Sequence, residues 1–207
     1  MAEAPLYPYP SSRIPRGPDD LYTSRPPWDI GRPQPAFLAL ADAEAIRGRV
    51  LDVGCGTGEH VLMIAGRGLD ATGVDLASAA LHTARDKARE RGFAARFLLQ
   101  DARHLADLGE SFDTVLDCGL FHIFTDDDRA AFLDSLRSVL QPGGRYFMLC
   151  FSDQQPGEWG RVRKLTRDEI TASFANGWRV DSIEPATIDI TTDTDGIRAW
   201  LVALTRL

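Results

Sequence analysis

Three glycines at alternate positions, Gly54, Gly56 and Gly58, follow the apolar residues Val50, Leu51 and Val53, a run that only Asp52 interrupts. The lead-in reads as a short buried strand. Beyond the glycines, Val61, Leu62, Ile64 and Ala65 set a helical pattern. Strand, glycine turn and helix start together make a nucleotide-binding corner. Glycine admits positive φ and lets a ligand approach without a Cβ in the way. The first N–H groups of the helix have no internal partner and point at that ligand. A dinucleotide fingerprint needs its third glycine where Glu59 stands, and no Gly-Lys-Ser/Thr ends the turn as in a P-loop. A carboxylate at Glu59 would repel a pyrophosphate. Two further residues carry chemistry. Asp75, 21 positions after Gly54, is placed to accept both hydroxyls of a ribose. His122 is a side chain that exchanges a proton near neutral pH.

The elements that position these residues alternate strand and helix. The pattern predicts a helix over 36–46 stopped by Gly48, then strand 49–53 and helix 58–66. Strand 71–76 and helix 77–91 follow, with Gly92 as a stop. Strand 95–99 precedes Gln100 to Arg103, strand 112–119 precedes Leu120 to Phe124, and helix 127–140 is halted by Pro142-Gly143-Gly144. Strand 145–151 leads into a loop, and Thr166 with Glu169 makes a capping box. Strands 178–184 and 197–205 close the chain as an antiparallel edge pair, because 188–196 is too short for a crossover helix. The fold class is α/β: a Rossmann-like, doubly wound, seven-stranded, mostly parallel sheet with an antiparallel last strand and an N-terminal lid arm.

The arm is compositionally distinct. Nine of twelve prolines and three of four tyrosines fall in residues 1–35, which should hold neither helix nor central strand. Residues 1–18 read as a flexible tail. Residues 19–35 carry Leu21, Tyr22 and Trp28 and should dock on the single domain formed by 36–207. The net charge of −7 excludes a nucleic-acid footprint, which needs a basic face. No apolar window spans a membrane and no secretory h-region opens the chain. The three cysteines form no C-x-x-C pair and read as reduced thiols of a cytoplasmic protein. No metal-ligand spacing occurs among the four histidines. The protein is expected to be a monomer or homodimer.

The sequence Asp52-x-Gly54-x-Gly56-x-Gly58 resembles the first motif of class I S-adenosylmethionine-dependent methyltransferases. Residues 21–205 follow that pattern throughout, including Leu140-x-Pro142-Gly143-Gly144 before a strand. Pro27-Trp28-Asp29-Ile30-Gly31-Arg32-Pro33-Gln34-Pro35, Asp117-Cys118-Gly119-Leu120-Phe121-His122 and Cys150-Phe151-Ser152-Asp153 narrow the resemblance. They are similar to the thiopurine and thiol methyltransferase branch, and within it to mycobacterial-type heterocyclic toxin methyltransferases. The resemblance implies S-adenosylmethionine as cofactor, leaving as S-adenosylhomocysteine. Its sulfonium and α-amino charges suit the nearby acids. It implies a donor site built from Asp52, Gly54, Cys55, Gly56 and Gly58, with Asp75 and Leu76 after the second strand. Asp101 and Ala102 after the third strand would read the adenine, and Asp117 and Cys118 would close the site. Trp28 would cover the cofactor, Gln34 would touch it, and Tyr22 would face the acceptor. Phe121, Phe151 and Trp159 would hold a small aromatic or heterocyclic acceptor. Either His122 acts as base or orienter, with Tyr22 as an alternative donor, or His122 is a wall of the pocket. The implied reaction is detoxifying methylation of hydroxyquinolone-like compounds at O, N or S. A halide or thiol methyltransferase, or a non-catalytic cofactor-binding interaction protein, remain as alternatives.

Overall fold

The computed structural model describes residues 17–157, 159 and 162–207. Seven strands form one sheet: β1 (Val50–Val53), β2 (Ala71–Asp75), β3 (Arg96–Leu99), β4 (Phe112–Cys118), β5 (Leu140–Phe151), β6 (Trp178–Ile190) and β7 (Asp193–Arg206). Their spatial order is β3-β2-β1-β4-β5-β7-β6. The first five strands run parallel and β7 is antiparallel to both neighbours. Chain order therefore reverses between β1 and β4. That crevice, at the carboxyl ends of the strands, is where such sheets take ligands.

Successive residues of β1 face opposite sides of the sheet. Leu51 and Val53 join a core with Phe132 and Leu136 of α4 (Asp126–Val139) and with Ile170 of α5 (Arg167–Ser173). Val50 joins the other core, with Phe37 of α1 (Pro35–Asp42), Leu62 of α2 (Glu59–Gly66) and Leu81 of α3 (Ser78–Arg91). Burial on both faces explains why apolar runs, not alternation, mark the central strands.

Four boundaries differ from expectation. The first helix ends at Asp42, where Glu44 takes φ +54 and the Ala45 N–H returns to the Leu40 carbonyl. The fourth ends at Val139, because Leu140 is already extended, fully buried and paired with Phe112. Pro142 then falls in a register shift between that pair and Thr114–Arg145, where its missing N–H costs no ladder bond. The last two strands run on through 188–196, pairing Ile188 with Ile197 and Ile190 with Asp193, since the buried isoleucines extend the β pattern. The arm also holds a 3-10 turn, Pro18–Tyr22, with proline at its start, where a missing N–H is harmless. The Thr166–Glu169 capping box is present, with both backbone-to-side-chain bonds made.

The described part of the arm is fastened at both ends. Asp19 accepts hydrogen bonds from the Ala79 N–H (2.8 Å) and the Ser78 hydroxyl (2.9 Å), so it caps α3. At the far edge the Thr191 N–H bonds to the Pro27 carbonyl at 2.8 Å, and Arg32 pairs with Asp189 at 2.7 Å. Residues 1–16, which hold most of the expected flexible tail, lie outside the described residues.

Candidate active site

The glycine turn lies at the end of β1, and Gly54, Gly56 and Gly58 all take positive φ. Gly56 is tied down from the next strand. One Asp75 oxygen accepts its N–H at 2.8 Å and the other accepts the Ala77 N–H at 2.8 Å. Asp75 thus holds the turn against the start of α3, which Asp19 caps from the arm. Gly58 serves packing: a Cβ there would sit 2.7 Å from the Phe97 ring and 2.9 Å from the Ala84 side chain. Cys55 contributes backbone to the turn. Its thiol is buried against Gly73, and burial, with Asp75 and Asp52 adding to it, raises the thiol pKa well above the usual range.

Three carboxylates converge at the ends of β1, β2 and β4. Asp52 is 2% exposed, yet neither oxygen has a hydrogen-bond partner among the described residues. The His60 ring lies beside it, with Nδ1 3.7 Å from one Asp52 oxygen. Burial raises the Asp75 pKa, and the Asp52 charge adds to the rise. Burial likewise raises Asp117 to about 7, against its hydrogen bonds and with Asp52 as a further cause. Such a cluster repels phosphate and suits a cation.

The expectation that Glu59 would face the ligand is corrected. It lies beneath the turn, bonded to Lys87 (2.8 Å) and to Arg91 (2.8 and 3.0 Å). Those two cations hold its pKa below the usual carboxylate value although burial opposes them. Glu59→Ala removes an acceptor from both, but Lys87 keeps the Thr57 hydroxyl and Arg91 stays solvated, so the expected cost is about 1 kcal/mol of unfolding free energy. A urea titration measures this, and donor affinity should change by less than about threefold.

At the neighbouring strand ends, Leu76 and Leu99 are 46% and 61% exposed, forming an apolar shelf. Asp101 lies beside it, gripped by Arg103 through its N–H (2.9 Å) and guanidinium (2.6 Å). Arg103 holds the Asp101 pKa down against burial. Ala102 is buried at the start of the following 3-10 turn.

The β4 exit differs from the expected arrangement. Asp117 points inward: its oxygens accept the Leu120 N–H (2.8 Å), the Phe121 N–H (3.1 Å) and the Tyr146 hydroxyl (2.7 Å). It is fully buried, so it holds the exit turn and does not line a donor site. The turn puts Leu120 3.4 Å from the Cβ position of Gly54. Cys118 is half-buried and its thiol pKa is raised by burial. Phe121 is fully buried against Phe132 and Phe174, so it is core and not acceptor wall.

His122 is buried, with Nδ1 accepting the Phe151 N–H at 3.1 Å. Burial, assisted by Arg129, lowers its pKa to about 3. The imidazole stays neutral at physiological pH, and with Nδ1 accepting, its proton is on Nε2. A base role does not fit that arrangement. The Phe151 ring packs edge-on to His122 (4.6 Å) and to Trp159 (5.8 Å). The Trp159 indole N–H bonds to the Pro156 carbonyl at 3.1 Å. Lys164 reaches the Gln155 and Gly157 carbonyls and fastens the base of this loop.

From the arm, the Tyr22 hydroxyl lies 2.8 Å from the Cβ position of Gly56, over the glycine turn, and Trp28 packs edge-on to it at 6.5 Å. Gln34 does not reach the donor turn. It is 3% exposed and both ends of its amide bond the Asp189 backbone, at 3.0 and 2.8 Å. Its own N–H bonds His60 Nε2 at 3.2 Å. Each lost Gln34 bond is worth about 1 kcal/mol net. Gln34→Ala is therefore expected to free the arm, speed its proteolysis and weaken donor binding about tenfold without removing a donor contact.

Sequence reading missed His60, Leu120, Arg103 and Arg129. His60 was legible as the second helical residue after the glycines, facing back toward Asp52. Arg103, two residues beyond Asp101, was legible in the same way, and Arg129 lies within eight residues of its partners Phe121 and Asp126, whereas the contact of Leu120 with Gly54 joins distant segments that spacing does not encode.

A parallel sheet reversing at this crevice, with a glycine turn flanked by the Asp52 and Asp75 carboxylates, suits a positively charged ligand. Residues 50–144 match the family model described as a methyltransferase domain. The chain is 33% identical over 165 residues to the 2-heptyl-1-hydroxyquinolin-4(1H)-one methyltransferase of Mycobacteroides abscessus, covering 79% of this chain and 73% of that one. It is 29% identical over 134 residues to the probable thiol methyltransferase 2 of Arabidopsis thaliana, covering 63% and 59%. A structure solved in a study of the conversion of a disulfide bond into a thioacetal group during echinomycin biosynthesis aligns with TM-score 0.79 and 39% identity. That alignment covers 88% of this chain and 86% of the other. The chain belongs to the class I S-adenosylmethionine-dependent methyltransferases. The unpartnered Asp52 carboxylate and the acids around it fit the cationic donor, which supplies an already activated methyl group.

Proposed function

We propose that the chain methylates a small aromatic or heterocyclic acceptor, in a detoxification-type role. The observation that carries this reading is the contiguous ring cluster of Phe151, Trp159 and His122, with His122 in the turn that follows β4. Flat aromatic faces select a planar acceptor. Asp52 and Asp75 would hold the donor's charged end and ribose, Leu76 and Leu99 would flank its base, and Asp101 with the Ala102 N–H would read it. The arm, pinned at Asp19 and again at Gln34, would act as a lid, with Tyr22 and Trp28 closing over the donor turn. Excluding water there sharpens the electrostatics of transfer. The chain's own work is positioning, worth roughly 7–11 kcal/mol in favourable intramolecular cases. Three free thiols fit a reducing cytoplasm.

Likeness to a thiol methyltransferase supports sulfur as a second acceptor atom. Isotope-labelled methyl transfer to a panel of hydroxyquinolones, thiophenols, bisulfide and iodide, read by mass spectrometry, tests both readings. Methylation of bisulfide and iodide alone would replace the aromatic acceptor by a small inorganic one.

A further inference from the structure

We infer that the site takes its acceptor as an anion already formed in solution, and that His122 donates a hydrogen bond to the anionic atom without ever receiving its proton. This deepens the proposed aromatic-acceptor reading and rests on it. It makes acceptor acidity the basis of selection.

The first argument is the His122 tautomer. The Phe151 N–H occupies Nδ1 at 3.1 Å. That backbone donor is fixed within the β5 ladder, where Phe151 pairs with Ala199. The imidazole proton is therefore on Nε2, on the ring edge that stands 3.7 Å from the Cβ position of Gly119. A ring in this state has no lone pair left to take a proton, but it has one N–H to give.

The second argument is what surrounds the ring. On β4, Asp117 has its oxygens committed to Leu120, Phe121 and Tyr146. Cys118 on β4 and Cys150 on β5 are thiols with pKa values raised by burial. From the loop before α5, Arg163 is neutralised by Asp126 and Glu169. Arg129 of α4 is different. Its guanidinium is buried over the Phe121 ring at 4.8 Å, and its Nη2 has no hydrogen-bond partner among the described residues. Its Nη1 is only within 3.8 Å of exposed Asp126. This under-neutralised cation behind His122 favours negative charge in front of it.

A plain phenol with a tyrosine-like pKa of about 10 is ionised to about one part in a thousand at pH 7. An aryl thiol or an N-hydroxy heterocycle is ionised to a far larger extent. In the reaction the acceptor's lone pair forms the new bond to the methyl carbon while the carbon–sulfur bond breaks with its pair left on sulfur. The acceptor proton has already gone to water.

A series of substituted N-hydroxyquinolones, thiophenols and phenols of graded acidity, assayed from pH 5 to 9 with the full chain, tests this. The expected kcat/KM rises with pH and levels off at each acceptor's own ionisation constant, so the break moves with the acceptor. His122→Phe should lower every plateau about tenfold without moving any break. His122→Gln, whose amide nitrogen replaces the Nε2 donor, should recover part of the loss. Product formed with one break common to all acceptors, and lost in His122→Phe, would show a histidine base and overturn the inference while leaving the acceptor class standing. No product from any acceptor, with donor binding intact by calorimetry, would overturn both. Were His122→Phe to misfold, the wild-type series alone still decides.

Discussion

Asp75→Ala should weaken S-adenosylmethionine binding by about a hundredfold or more, with the folded state intact. The carboxylate has two duties. It already fixes the glycine turn, through Gly56, to the start of α3, through Ala77. Its remaining lone pairs are proposed to accept the donor's ribose hydroxyls. Hydrogen bonds to a charged group are worth about 1.5–3 kcal/mol each, so losing two corresponds to about a hundredfold or more in Kd. Stability should fall by about 1–2 kcal/mol, because the Gly56 and Ala77 N–H groups lose their acceptor, an effect offset in part by removal of the charge. Burial and the Asp52 charge both oppose ionisation of Asp75, so the native fold holds this charge at a cost. Asp75→Asn should bind almost as poorly, because an amide –NH2 would oppose one of the two backbone N–H groups. Calorimetry with the donor and with S-adenosylhomocysteine, beside a denaturation curve, separates the two effects. A Kd within about threefold of wild type would sink the assignment of Asp75 to the donor site.

The geometry of the glycine corner was legible because it is local. Gly54, Gly56, Asp52 and Asp75 lie within one strand–turn–helix–strand unit, where spacing fixes geometry, and the sheet followed from the alternation of apolar runs and helical patterns. Reading failed where distant chain segments decide. Gln34 looked like a donor contact, but its amide is spent on Asp189, 155 residues away. Glu59 looked ligand-facing until Lys87 and Arg91 of α3 claimed it. His122 carried the right residue type for a base. Only the Phe151 N–H, 29 residues on, decides which nitrogen holds the proton. Polar side chains are thus placed by partners that no local pattern names, whereas glycine φ values and strand hydrophobicity are set by the residues themselves.

The same logic gives Asp117 the largest effect on stability. It is fully buried and receives three hydrogen bonds, two from the backbone of the turn that carries Leu120 and His122. Asp117→Ala leaves two N–H groups and the Tyr146 hydroxyl without their acceptor. Each unsatisfied group costs about 1–3 kcal/mol, so the expected loss is about 4 kcal/mol, a large part of a total near 5–15 kcal/mol. Asp117→Asn keeps the shape and one oxygen, and should cost about 1–2 kcal/mol at pH 7. Its pH dependence is the sharper test. Burial holds the folded carboxyl at about 7, against an unperturbed 3.8. Between those values the folded chain keeps a proton that the unfolded chain has lost. The favourable contribution is therefore complete below the unfolded value and is lost as pH rises through about 7, at no more than about 1.4 kcal/mol per pH unit. Other acids titrate in the same window, so the readout is wild type minus Asp117→Asn in urea unfolding at pH 5, 6, 7 and 8. That difference should fall toward pH 7 and flatten above it. A flat difference throughout would mean that Asp117 ionises in the fold as readily as in water. The exit turn would then be held by a permanent charge, and kcat/KM of Asp117→Asn would fall equally at every pH.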